Sequence, residues 1–409
     1  MTLLLIVAMA PSEGLGHGGM RPTASQLRPR WRAEYTVGCH GPTPLTPGDG
    51  ISNAGETREQ LGLTLRLSSS LLPRMRRGAI ARSILFLLLT ITATGCSSPG
   101  GDASTSSGRA PARRRIAVIP KGTTHEFWKA VHAGVVKAAR ELDVDVIWKG
   151  PVKEDDRDEQ IKVMETFLAQ GVDGIVLAPL DDRALAPVVR DARARKIPVT
   201  IIDSALDSQD YVSFIATDNE RAGALAAERL GTLLGGAGDV LVLRYAEGSA
   251  STVAREAGFL KTLVEKYPEL RIVSSNRYGG ATTESAYAAS ENLLSTYASV
   301  QGIFCPNEST TFGMLRALDA AGRSGRIRFV GFDASQKLVE ALGQGKIDGL
   351  VVQNPFRMGE LGVKTLVAHL RGERIEPRVD TGVTLITPAT LDQPDMQTLL
   401  HPPLDEYLR

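Results

Sequence analysis

Residues 116–134 read IAVIPKGTTHEFWKAVHAG. Ile116 to Ile119 form a short apolar run closed by Pro120 and Gly122, the mark of a buried strand. After it, Phe127, Val131, Val135, Ala138 and Leu142 recur every three or four residues, which places one apolar stripe on a helix. Thr123-Thr124-His125-Glu126 has capping-box spacing and predicts that a threonine side chain caps that helix from within. A buried strand feeding an amphipathic helix is the repeating unit of a parallel sheet covered by helices.

The unit repeats outward from this stretch. Strands are predicted at 144–148, 174–177 and 199–203, and helices at 159–170, stopped by Gly171, and 187–196. A second series begins near Asn219 with a helix through Leu234. It continues with strands at 240–243, 271–273, 302–305, 329–332 and 350–353, and helices at 254–265, 285–294, 311–321 and 358–370. Roughly 300 residues after Arg114 exceed what one core usually serves, so an α/β fold of two doubly wound, Rossmann-like lobes is expected.

Upstream of the fold, Arg74, Arg76, Arg77 and Arg82 surround Met75 and precede an apolar run from Ile84 to Ile91 and then Ala93-Thr94-Gly95-Cys96. Basic residues, a run too short to span a bilayer and small residues before a cysteine read as a lipoprotein signal over 75–96. Cys96 is the expected lipid acceptor, giving a chain anchored to a membrane of the cell envelope. Residues 97–114, SSPGGDASTSSGRAPARR, lack large apolar side chains and read as a flexible tether. Residues 1–74 show neither period and are expected to be a disordered, mis-assigned upstream start, with translation beginning at Met75.

Composition narrows the function. A formal net charge of +1 gives no electrostatic case for nucleic acid. With Cys39 upstream and Cys96 lipidated, Cys305 is left alone, so no disulfide and no cysteine-based metal site is expected. No Gly-x-Gly-x-x-Gly follows the first strand, and Gly-x-x-x-x-Gly-Lys-Ser/Thr and Gly-x-Ser-x-Gly are both absent. No catalytic residue and no cofactor are therefore assigned.

In doubly wound sheets ligands sit beyond the carboxyl ends of the strands. Those positions carry Lys121, His125, Phe127, Trp128 and Asp203 in the first series, and Arg255, Asn307, Glu308, Asp333 and Gln353 in the second. Carboxylates accept from hydroxyls, arginine donates from a rigid fork, the amides do both, and flat rings cover the C–H faces of a sugar. The charges nearly cancel, which favours a neutral polyol. Each residue also has a plainer reading. Asp203 and Asp333 could cap helices, Arg255 could pair with Glu256 or Glu265, and Asn307 and Gln353 could serve a turn and a hinge. Lys121 could pair with Glu126 or Glu308. Phe127 and Trp128 point to different faces, and Trp128 is the one assigned to ligand. His125 has no partner at metal-ligand spacing.

The motifs IAVIPKGTTHEFWKAVHAG, GVDGIVLAPLDD, KIPVTIID, ATDNERAG, REAGF, NESTTFGMLRAL, VGFDAS and VVQNPFRMGELG follow one another in this order. Together they resemble the periplasmic binding proteins of the ribose-binding type, whose core is shared with Lac-repressor-like regulators. The resemblance implies a type I periplasmic binding protein fold with a three-crossing hinge near Asp218, Asn354 and 381–383. It divides the chain into 115–217 plus 354–380 as one lobe and 218–353 plus 381–409 as the other. It places sugar contacts on Phe127, Trp128, Asp203, Arg255, Asn307, Asp333 and Gln353. It implies a monomer in the periplasm or cell envelope that hands a small sugar to the transmembrane subunits of an ABC permease. A ligand-sensing subunit docking to a membrane receptor or kinase shares this core. A regulator would need a helix-turn-helix before residue 115, where a tether stands. Ser204 stands where ribose binders have arginine, Lys121 and His125 where serine and asparagine are common, Glu308 where aspartate is usual, and Ala281 where a second-lobe aromatic is expected. One wall is thus expected to be open, favouring a pyranose or larger sugar over ribose.

Overall fold

The computed structural model describes residues 113–409; the expected upstream start, the signal segment, Cys96 and most of the tether lie outside them. Two six-stranded sheets organise the chain. The first is built from β1 (Arg115–Ile119), β2 (Asp145–Trp148), β3 (Gly174–Leu177), β4 (Val199–Ile202), β5 (Ser213–Ala216) and β11 (Arg378–Asp380). Its order is β11-β5-β4-β3-β1-β2, and every pair is parallel. The second holds β6 (Gly238–Arg244), β7 (Leu270–Tyr278), β8 (Gly302–Phe304), β9 (Arg328–Phe332), β10 (Gly349–Gln353) and β12 (Val383–Ile386). Its order, β12-β10-β9-β8-β6-β7, repeats the first, except that β12 runs antiparallel to β10.

Side-chain alternation along the strands explains the layers, because successive residues face opposite sides of a sheet. Ile116 and Val118 of β1 pack under α1 (Glu126–Leu142) and α9 (Pro355–Leu370), joining Val131, Val135, Met358 and Leu366. Ala117 and Ile119 pack on the other side with Met164 and Phe167 of α2 (Arg157–Gln170) and Val189 of α3 (Ala186–Ala194). In the second sheet, Val240 and Val242 meet α4 (Asn219–Leu233) and α5 (Ala250–Lys266). Leu241 and Leu243 lie in the core formed with α6 (Thr283–Thr296), α7 (Glu308–Ala320) and α8 (Gln336–Gly343). Both faces of both sheets are covered, as the near-continuous apolar strands require.

Four motif glycines set the two tightest helix crossings. A methyl group on Gly134 of α1 would overlap the Phe356 carbonyl, and one on Gly359 of α9 would overlap the Val131 carbonyl. In the other lobe, methyl groups on Gly223 of α4 and Gly258 of α5 would meet the carbonyls of Arg255 and Glu220. Hydrogen at these positions lets helix backbones touch, and any side chain would push them apart.

The chain passes from the first sheet to the second between β5 and α4, returns between β10 and α9, and crosses again between β11 and β12. A fourth passage corrects the expectation that residues 381–409 stay with the second lobe. The helix α10 (Pro394–Leu400) seats Leu399 and Leu400 on the second lobe's core. After His401-Pro402-Pro403 the helix α11 (Leu404–Tyr407) lies on α1 of the first lobe. There the Tyr407 ring sits 5.8 Å from that of Phe356. Arg140 donates to the carbonyls of Glu406 and Tyr407 at 3.1 and 3.4 Å.

Candidate functional site

The carboxyl ends of both sheets face each other across a polar cavity walled largely by buried side chains. All ten side chains predicted from strand ends line it. Each lobe supplies one aspartate in the same way. Asp203 follows β4 and Asp333 follows β9, the fourth strands of their sheets in chain order, and both take left-handed backbone angles, φ 63° and 69°. That region is uncommon outside glycine, and among other residues aspartate and asparagine tolerate it best. It turns each carboxylate inward at the strand end, and Asp333 does not cap the helix α8 that follows it, whose N-cap is Ser335 without a side-chain bond.

Lys121 pairs with Asp203, Nζ to Oδ2 2.7 Å, and with neither glutamate expected from sequence. It also reaches the hydroxyls of Ser204 at 2.8 Å, Ser251 at 3.2 Å and Ser249 at 3.5 Å. Ser204 and Ser251 bond each other at 2.9 Å across the lobes. The wall expected to be open at Ser204 is therefore filled: the lysine stem arrives from β1 and places a cation beside that serine.

Arg255 does not pair with Glu256, which instead holds Arg244. Its Nε donates to Asn219 Oδ1 at 2.8 Å and its Nη1 to the Pro306 carbonyl at 2.9 Å, while its guanidinium lies 4.0 Å from the Phe332 ring centroid. Nη2 is buried without a protein partner. A charged donor in a side chain only 2 % exposed is costly to leave unpaired, so a ligand oxygen fits there. Asp333 is also oriented. Gln353 Nε2 donates to its Oδ1 at 2.8 Å and the Glu308 amide to its Oδ2 at 2.9 Å, while burial pushes its carboxyl above the usual range. Gln353 in turn accepts from Thr217 of the first lobe at 3.0 Å, tying two of the crossing segments. Asn307 has the plainer role as well: its Oδ1 caps α7 by accepting from the Thr310 amide at 3.3 Å.

Glu154, Tyr245 and Asn219 were not foreseen. The buried Glu154 carboxylate accepts from His125 Nδ1 at 2.7 Å, the Trp128 indole and the Tyr245 hydroxyl at 2.7 Å. Burial alone would lower the His125 pKa, but the Glu154 carboxylate overrides it and holds the ring at about 9. Burial alone would raise Glu154, yet His125 and Lys121 pull it down to about 2. Trp128, assigned to ligand from sequence, is buried in the first lobe's core and keeps its N–H on Glu154; Phe127 is the more exposed ring, set edge-on to it at 4.9 Å. Tyr245 provides the second-lobe aromatic that Ala281 lacks, and Ala281 lines a groove at the cleft mouth instead. The strand-end rule does find Tyr245, which directly follows β6, and points to Glu154 in the loop after β2.

The expected threonine cap of α1 is replaced by a contact across the cleft. The N-cap of α1 is His125, without a side-chain bond. Instead Glu308, at the start of α7, accepts from the amides of Glu126 at 3.3 Å and Phe127 at 3.2 Å. Glu126 returns the contact, accepting from the Gln336 amide at the start of α8 at 2.9 Å. Each carboxylate meets a helix N-terminus of the other lobe, where backbone N–H groups and the helix dipole favour negative charge. Burial pushes Glu308 up to about 7.

The chain is similar to known proteins. Residues 116–374 match the periplasmic binding protein domain family. The chain belongs to the periplasmic binding protein family, with the two-lobe α/β fold of its type I members. It is 28 % identical over 316 residues to the D-ribose/D-allose-binding protein of Pseudomonas aeruginosa, covering 74 % of this chain and 97 % of that one. A solute-binding protein of Agrobacterium vitis, solved with bound D-fucose, is 36 % identical with a TM-score of 0.68 over 70 % of this chain and all of that one. Another, from Agrobacterium radiobacter in complex with D-arabinose, is 33 % identical with a TM-score of 0.69, covering 71 % of this chain and all of the other. Both Agrobacterium proteins are transporter solute-binding proteins solved with a sugar bound. Among the described residues no helix is long and apolar enough to cross a membrane and no metal-ligand cluster occurs.

Proposed function

We propose that this periplasmic binding protein captures a small neutral sugar in the interlobe cavity and delivers it to an ABC-type permease. One observation carries the reading: the Arg255 guanidinium is fixed by Asn219 and Pro306 with one nitrogen left unpaired, beside Asp333 held in a left-handed turn. A hydroxyl-bearing ring answers both, accepting from arginine and donating to aspartate. The carboxylates of Asp203 and Asp333 and the cations of Lys121 and Arg255 balance, so a net charge on the ligand is not required.

Binding is the whole of the chemistry. A ligand that touches both lobes binds best when they meet, and so shifts the population toward the closed form. The serine and glutamate contacts across the cleft add to that closed form. The proposal includes export, a lipid anchor at Cys96 and action as a monomer, in keeping with the signal-like segment before the fold.

A thermal-shift screen of the purified protein against neutral sugars, polyols and sugar acids tests the ligand class, because a ligand that binds only the folded state raises the melting temperature. At least one neutral sugar is expected to raise it. Stabilisation by sugar acids alone, or by nothing in the panel, contradicts the reading.

A further inference from the structure

The C-terminal strap walls one side of a second, partly open chamber beside the sugar cavity. Four residues, Phe127, Glu308, Asp333 and Gln353, line both spaces. On the cavity side the surroundings are polar. On the chamber side they are largely apolar: Leu399, Leu400, Pro402 and Leu404 of the strap, Ala130 of α1 and Val352 of β10. The strap is a seated element. Leu400 is buried in the second lobe's core, and α11 is fastened to the first lobe by Arg140 and by Tyr407 against Phe356.

We propose that this chamber is a subsite for a small apolar substituent on the sugar, so that the preferred ligand is a short-chain glycoside or alkyl ether. The inference rests on the sugar reading above. A polar ring held by Asp333 and Gln353 would have its substituted face directed past Phe127 into a space whose strap-side side chains are all apolar, with Glu126 and Ser335 elsewhere on the wall. Water there gains little, and each methylene that displaces it gains apolar burial. The wall expected to be open at Ser204 is filled by Lys121, so an extension of the ligand finds no room on that side.

The test is titration calorimetry of the purified protein with the tightest neutral sugar from the screen, and with its anomeric butyl glycosides and mono-O-butyl ethers. At least one butyl derivative is expected to bind tighter than the parent, by about fourfold per methylene seated. Leu404→Trp, which fills the chamber, should remove that gain and leave parent binding within about twofold. Truncation after Leu400, which opens the chamber to water, should reduce the gain in the same way and serves if Leu404→Trp disturbs the strap. The proposal is overturned if every butyl derivative binds more weakly than the parent, or if the gain survives both variants. Should no sugar bind, the sugar reading fails separately. The chamber is then probed with 1-butanol by methyl NMR, and unshifted signals of Leu399, Leu400 and Leu404 overturn the subsite.

Discussion

Asp203 and Asp333 occupy equivalent places in the two sheets, each following the fourth strand in chain order and each in a left-handed conformation, φ 63° and 69°. Their settings differ. Asp203 is neutralised by Lys121, whereas Asp333 is held by the Gln353 amide and the Glu308 backbone and is pushed up by burial. The second lobe thus presents the more weakly compensated carboxylate to the ligand.

Replacing Asp333 by asparagine keeps a residue tolerant of that backbone and removes a buried charge. The unliganded protein is expected to melt at the same temperature or higher, while sugar affinity falls at least about tenfold through loss of a charge-assisted bond. Parallel melting and titration of Asp333→Asn check both halves; a large loss of unliganded stability would show that the carboxylate serves the fold.

The Glu154–His125 pair sets a pH window for folding. A histidine held at about 9 contributes stability that is complete below its unfolded value of 6.5 and is lost as pH rises through 9. A glutamate held at about 2 contributes above its unfolded value of 4.5 and is lost as pH falls through 2. Denaturant unfolding should therefore show this contribution at its greatest between pH 4.5 and 6.5. Glu154→Gln should flatten the profile, cost about 3–5 kcal/mol as a broken buried pair, and drop the His125 pKa below 6.5.

Glu308 acts with the opposite sign. Its pKa stands at about 7 in the closed form, against 4.5 for the free side chain, so closure takes up a proton between those values. Affinity for a neutral sugar is expected to fall as pH rises from 4.5 to 7, with His125 and Asp333 the charged neighbours that modulate it. Glu308→Gln, which removes the titrating group and keeps one acceptor oxygen for one of the two amides, should lower affinity overall and make it flat across this range. Titrations at four pH values decide it.

The helix crossings give a prediction about stability alone. Gly134→Ala and Gly223→Ala each force a methyl group against a backbone carbonyl and should cost about 1–3 kcal/mol by overpacking. The melting temperature reads this directly, and a neutral result at both sites would show that the helices move apart freely.

Much of the fold is legible in the chain because each central strand is an apolar run and each covering helix has one stripe. What escaped lacks those signals. The strand β5, with sequence SFIA, and the exposed β11, with sequence RVD, are short and follow long connections. The helices α8, α10 and α11 take their place from docking. Glu154 was hidden within KEDDRDE, residues 153–159, which reads as a solvated acidic loop. Only its neighbours in space, His125, Trp128 and Tyr245, show that this one carboxylate turns inward. Glu126 had the spacing of a capping box, but the amides it was expected to accompany are met by Glu308 from the other lobe, a contact that no local pattern encodes.

The most direct measurement is titration calorimetry of the purified protein with the tightest neutral sugar, set beside Arg255→Ala. One saturable site is predicted, weakened at least about tenfold when the unpaired guanidinium nitrogen is removed. Binding of equal strength in Arg255→Ala, or no binding of any neutral sugar to the wild type, would contradict capture in the interlobe cavity.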